Sequence, residues 1–287
     1  MEIAQEIKDF LTTRRARITP DMVGLPSTGR RRVPGLRREE VAMLAGLSAE
    51  YYIQIERGRV AGVSEEILHA IIRALRLDDV ESEHFLTLTR AAASKPSRRA
   101  ARTRAVVSPT LQAVLDSMVT VPAVVLAPNL DLVAGNTLGL ALYAPVAGTV
   151  GQANVARFLF LDPDSDRTFP DWNTAADDAV AMLRAAAAAD PQARALTALV
   201  GELSTASAEF RTKWAAHRVV AHRRGGKQFR HEAVGEMALS FEALEIAGSG
   251  GLILYAFAPE PASPAADALR LLSSLVADRP AVVLENR

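Results

Sequence analysis

The sequence predicts two domains of different class: an all-α N-terminal third, then an α+β domain built on a mainly antiparallel sheet. Three observations predict it. In the first hundred residues, apolar side chains recur at helical spacing between serine and glycine punctuation. A run at 94–107 carries Lys95, Arg98, Arg99, Arg102 and Arg104 and no acid, and reads as a linker. Beyond it, short apolar strands, alanine-rich helices and a glycine-punctuated set of strands follow in turn. The boundaries are thus 1–93, 94–107 and 108–287, and a length of 287 residues suits two domains.

Each N-terminal element has a local reason. Ile3, Ile7, Phe10 and Leu11 give residues 2–17 one apolar face. Two prolines and three glycines make 21–37 a long loop. A short helix then stops at Gly46. Ser48 caps a second, which stops at Gly58, and Ser64 caps a third. Asp78 with Glu81 forms a capping box for the helix that follows.

In the second domain, Ser108-Pro109 opens a helix. VPAVVLAP and LDLVAG read as strands around Pro128-Asn129, followed by a short helix at 136–143. Residues 154–161 and 171–217 read as helical, with breaks near Asp190-Pro191 and 204–207. RVVAHRR, KQFRH, VGEMALSFEALEI and GGLILYAFAP read as an antiparallel meander with turns at Gly225-Gly226 and 248–251. Ser263-Pro264 opens the last helix.

Composition excludes several functions. The hydrophobic fraction of 49% supports real cores. No cysteine is present, which excludes disulfides, thiol nucleophiles and Cys-ligated metals, and suits a cytoplasmic setting. No apolar run reaches the roughly 18 residues of a membrane span, and the charged start is no signal peptide. The 33 basic and 33 acidic residues cancel overall but not locally. Residues 1–107 hold 19 basic and 14 acidic side chains (+5); residues 108–287 hold 14 and 19 (−5). A basic N-terminal half points to a polyanionic partner.

RREEVAMLAGLSAEYYIQIERG, residues 37–58, carries the sharpest signal. Two short helices that cross steeply need a small residue at the contact, here Ala42, and a left-handed turn, here Gly46. Val41, Leu47, Tyr52 and Ile55 fill the wedge. This is the pattern of a DNA-binding helix-turn-helix, with residues 49–57 in the major groove. Ala49, Glu50, Gln54 and partly Tyr51 face the bases. Gln54 suits adenine, Glu50 a cytosine amino group, and Ala49 a thymine methyl. Arg38 and Arg57 are placed for phosphates. Arg30, Arg31 and Arg32 suit phosphates or a narrow minor groove, against the plainer reading of a solvated loop. The basic linker likewise reads as a solvated spacer or a DNA-grazing arm.

Residues 10–92 resemble the Xre-type helix-turn-helix domain, in a form with a long basic loop after the first helix. The remainder resembles the MmyB-like ligand-binding domain. NVARFLFLDP (154–163), Asp171-Trp172, LVGELSTASAEFRTKWAAH (199–217), His231, VGEMALSFEAL (234–244) and LILYAFAPEPASPAADALRLL (252–272) carry that resemblance. It implies a transcription regulator whose C-terminal domain is PAS-like, with a pocket for a small apolar ligand such as a fatty acid. In Xre-type domains the position of Glu56 pairs with a first-helix arginine; Arg15 matches, with Arg14 as the alternative.

Pocket candidates are aromatics in the sheet and its covering helices: Phe158, Phe160, Trp172, Phe210, Trp214, Phe241, Tyr255 and Phe257. Ordinary core is the plainer reading at each. Arg157 and His217 could anchor a ligand carboxylate or form surface ion pairs. Enzyme signatures fail: GxSxG, P-loop and GxGxxG motifs are lacking, and no histidine sits in an HExxH setting. Asp162, Asp164 and Asp166 start like a calcium loop, but the required glycine and glutamate do not follow. The expectation is therefore a cytoplasmic, homodimeric regulator that binds double-stranded DNA and a fatty-acid-like effector. No metal, cofactor or membrane partner is expected. The rival is a protein-interaction adaptor with a vestigial helix-turn-helix.

Overall fold

A computed structural model describes residues 3–26, 35–93, 107–148, 152–216 and 224–277. Contacts divide the chain into two units. The first holds Met1–Ser97 with Arg184–Thr197 and Trp214–Val220. The second holds Arg98–Leu183, Ala198–Lys213 and Ala221–Arg287. Residues 184–197 and 214–216 thus group with the helices of the first unit. The basic run 94–106 lies outside the described residues.

The first unit opens with five helices: α1 (Ile3–Arg17), α2 (Arg38–Ala45), α3 (Ala49–Glu56), α4 (Glu65–Ala74) and α5 (Asp79–Ala93). Ile7, Phe10, Leu11, Val41, Tyr52, Ile55, Ile71 and Phe85 form its core. The turn between α2 and α3 follows from its residues. Gly46 takes φ 68°, and Leu47 N–H then bonds back to Ala42 O at 2.8 Å. Ala42, 1% exposed, lets the helices close. The Ser48 and Ser64 hydroxyls accept from Tyr51 and Ile67 N–H, and Asp78 and Glu81 complete the expected capping box.

The second unit is α+β. Its sheet has order β2-β1-β5-β4-β3, every adjacent pair antiparallel: β1 (Ala123–Leu126), β2 (Leu132–Gly135), β3 (Arg224–His231), β4 (Gly235–Glu245) and β5 (Ile253–Pro259). β1 and β2 are buried at every position, which is why they read as continuous apolar runs. β4 alternates, with Met237, Leu239 and Phe241 inward. The helices after the basic run are α6 (Pro109–Ser117), α7 (Thr137–Leu142), α8 (Ala144–Ala147), α9 (Val155–Leu161), α10 (Ser165–Thr168), α11 (Trp172–Ala189), α12 (Arg194–Ala206), α13 (Ala208–Ala215) and α14 (Pro264–Val276), with residues 184–189, 194–197 and 214–215 of α11, α12 and α13 grouping with the first unit. α14 buries Ala265, Leu269, Leu272 and Val276 on one face.

One expectation is overturned. Gly225-Gly226 is not a turn: both residues lie in β3, opposite Phe241 and Ser240. A Cβ on Gly225 would stand 3.1 Å from the Phe241 ring, so the glycine makes room for an aromatic rather than bending the chain. The turn comes later, between His231 and Gly235. The strand expected before Arg224 falls outside the described residues.

Two buried asparagines pin loops to this sheet. Asn136 Oδ1 accepts from Ala123 N–H (3.0 Å) and, as the cap of α7, from Gly139 N–H (2.7 Å). Its Nδ2 donates to Met118 O and Val121 O, each at 2.7 Å. Asn154 caps α9 through Arg157 N–H and donates to Asn129 O and Asp131 Oδ1. Asn136→Ala would orphan several buried backbone groups and is expected to cost about 3 kcal/mol. Urea denaturation of the full chain measures this; an unchanged midpoint would show that the network contributes nothing.

Candidate DNA-reading helix and ligand cavity

Glu56, the last residue of α3, is 1% exposed. A carboxylate there is costly unless compensated. Arg15 Nε of α1 donates to Oε1 at 3.0 Å, and Arg38 Nε of α2 donates to Oε2. Arg15 also donates to Leu36 O at 2.8 Å, holding the chain that leads into α2. Glu56 thus ties α3 to both preceding helices. Arg14 turns elsewhere: it lies over the Phe10 ring and pairs with Glu81 at 2.7 Å. Burial lowers the Arg14 guanidinium to about 10, against the pull of Glu81.

The opposite face of α3 is open. Glu50, Tyr51 and Arg57 are exposed, while Ala49 and Gln54 are half-buried. Gln54 has a partner that sequence reading missed: Arg59 Nη1 donates to its Oε1 at 2.8 Å. A guanidinium is donor-only, so this contact fixes which end of the amide is oxygen. The available signal was an arginine just beyond the helix-ending Gly58. Arg38 is engaged with Glu56 rather than standing free for a phosphate, although 48% of its side chain remains exposed. Arg30, Arg31 and Arg32 lie outside the described residues.

Two adjoining cavities lie among the described residues of the second unit. The outer, about 330 Å³, lies between α11 and the β3–β4 ladder, lined by Asp171, Thr174, Asp178, Lys227, Ser240 and Glu260 among others. The inner, about 30 Å³, is walled by Leu126, Leu130, Tyr143, Val155, Met182, Phe241, Tyr255 and Phe257. Ala175, Asp178 and Lys227 line both. Burial raises the Tyr143 and Tyr255 hydroxyls, with Asp178 adding to the effect at Tyr255. The Tyr255 hydroxyl stands 3.6 Å from Met182 Sδ. Desolvation lowers the Lys227 ammonium to about 8, although Asp178 opposes the shift.

Of the expected pocket residues, Phe241, Tyr255 and Phe257 line the inner cavity. The others line neither cavity. Phe158 packs edge-on against Phe169. Phe160, Trp172 and Phe210 form a separate cluster, with Trp172 Nε1 donating to Leu159 O at 2.9 Å. Trp214 lies in the first unit, its ring 4.4 Å from the Arg184 guanidinium, which also pairs with Glu6 at 2.7 Å. Arg157 makes a two-pronged ion pair with Glu202, Nε donating to Oε1 at 2.9 Å and Nη2 to Oε2 at 2.8 Å, which raises the arginine and lowers the carboxyl. His217 lies outside the described residues. Sequence reading missed Lys227 and Asp178. Lys227 shares a strand face with buried Phe229, and Asp178 interrupts the Ala175–Ala179–Met182 stripe. A charge on an apolar face was the available signal in each. No group of metal-ligating side chains occurs among the described residues.

A helix-turn-helix domain family matches residues 10–85. The family described as MmyB-like transcription regulator ligand binding domain matches residues 107–272, more than half of the chain. No curated protein matches the chain.

Removing the Glu56 carboxylate leaves the buried Arg15 charge uncompensated. Glu56→Ala is expected to cost about 3 kcal/mol by chemical denaturation. A loss below about 1 kcal/mol would show that the three helices are held by their apolar core alone.

Proposed function

This chain belongs to the family of MmyB-like transcription regulator ligand-binding domains, and we propose that it binds its operator as a cytoplasmic homodimer under the control of a fatty-acid-like effector. A helix-turn-helix and a ligand-binding domain in one chain make a ligand-regulated transcription regulator. No helix among the described residues is long and apolar enough to cross a membrane. The observation that carries the finer reading of the DNA site is the open face of α3. Arg59 holds the Gln54 amide, leaving its Nε2 and the second lone pair of Oε1 for N7 and N6 of adenine. Glu50 beside it suits a cytosine amino group. One such helix buries little surface, and paired half-sites would supply the affinity of a specific complex. An apolar effector enters between α11 and the sheet, where the inner cavity already lies.

Salt titration of operator binding tests the DNA reading. Log affinity should fall steeply with log salt, and changing Arg30, Arg31 and Arg32 to alanine should flatten the slope by about 0.9 per lost phosphate contact. A flat plot for the unmodified protein would favour the adaptor reading. Gln54→Ala should cost about 1–3 kcal/mol on the operator and much less on random DNA, and Arg59→Ala should lower the same discrimination. Equal losses on both DNAs would remove Gln54 from base reading.

A further inference from the structure

The two cavities of the second unit meet at one pair of charges. Lys227 on β3 and Asp178 on α11 line both, with apolar walls inward and a polar, open chamber outward. The Lys227 ammonium stands 4.9 Å from the centre of the Phe169 ring, and its strand neighbour across the ladder is Leu239. Its surroundings are poor solvent for a cation, which is why it is held at about 8 even with Asp178 nearby. A cation in such a place gains more from an added anion than an exposed lysine would.

The geometry points to Lys227 as the anchor for a singly charged anionic head group on an apolar effector, its tail directed into the inner cavity. This rests on the ligand-binding reading above and adds the residue that selects the head group. Asp178 is the competing anion: a ligand carboxylate must share Lys227 with it, so Asp178 sets a threshold for binding. The outer chamber adds Asp171, whose Oδ1 caps α11 through Thr174 N–H, and Glu260. These carboxylates disfavour a second negative charge on the ligand. The selected class is a monocarboxylate amphiphile, ahead of a phosphate dianion or a neutral alcohol of the same length.

Calorimetric titration of the full chain with decanoate, decanol and decylamine tests this. The unmodified protein should bind decanoate about tenfold more tightly than decanol. Lys227→Gln should erase that preference, Lys227→Arg should retain it, and Asp178→Asn should widen it. Acid preference persisting in Lys227→Gln, equal binding of decanoate and decanol, or preference for decylamine would each overturn the anchor. Should Lys227→Gln fail to fold, judged by circular dichroism, the decanoate–decanol gap and its response to Asp178→Asn decide alone. If none of the three probes binds, the ligand-binding reading falls and the anchor with it. Acid preference without any change in operator affinity would sink only the regulatory reading.

Discussion

The Glu56 carboxylate is the constraint on which the geometry of the helix-turn-helix depends. It sits at the C-terminal end of α3, where the helix dipole disfavours a negative charge, and it is 1% exposed. Both penalties are met by the same two guanidiniums, Arg15 from α1 and Arg38 from α2. A less polar residue would pack there at lower cost, since buried ion pairs seldom outperform a well-packed apolar core. What the pair adds is direction. Two oxygens facing two donors admit one rotation and one height of α3, and Glu50 and Gln54 ride on that helix. Base reading needs such positional control, because hydrogen bonds to base edges weaken steeply with misalignment.

The second unit solves the corresponding problem without charge. Asn136 and Asn154 each use both ends of a neutral amide, capping a helix while holding a loop or strand backbone. A neutral amide forgoes the desolvation cost of an ion, yet leaving its partners unmade is expensive. Asn136 lies where the chain leaves β2 for α7, and Asn154, immediately before α9, bonds back to Asn129 and Asp131 in the β1–β2 connection. Each amide therefore ties the start of a helix to the backbone around the sheet. The cavity wall opposite, between α11 and β3–β4, contains none of these asparagine pins.

Much of this was legible in the sequence because local chemistry dictated it. Ser48, Ser64, Ser108 and Ser263 cap their helices where the serine-before-helix pattern places them, and Gly46 turns where a left-handed residue is required. The antiparallel sheet followed from alternation in β4 and from the apolar runs of β1 and β2. Gly225-Gly226 misled because a glycine pair signals a turn locally, whereas here its reason is a ring on the neighbouring strand. The cavity residues failed for a similar cause. Aromatic residues announce burial but not what they face: Trp172 and Phe210 pack on Phe160, and Trp214 covers Arg184. Arg157 looked like an anchor until its partner, Glu202, came from 45 residues away. Pairings across such separations are set by tertiary packing, and no local pattern encodes them.

The size of the inner cavity constrains how any effector acts. About 30 Å³ admits roughly two waters, whereas small-molecule sites usually span about 300–1,000 Å³. An apolar tail therefore cannot enter the described state unaltered. Met182, Tyr255 and Phe257 must part, and the packing they forfeit is subtracted from the binding energy. The consequence is favourable for regulation. A ligand that bound the closed arrangement as well as an open one would shift no equilibrium, however tightly it bound. An effector larger than this cavity would bind only a state rearranged around α11, and that difference is what would give it differential affinity for two states. On the role proposed for Lys227 and Asp178, a head group that satisfies Lys227 would recover part of what opening the core costs.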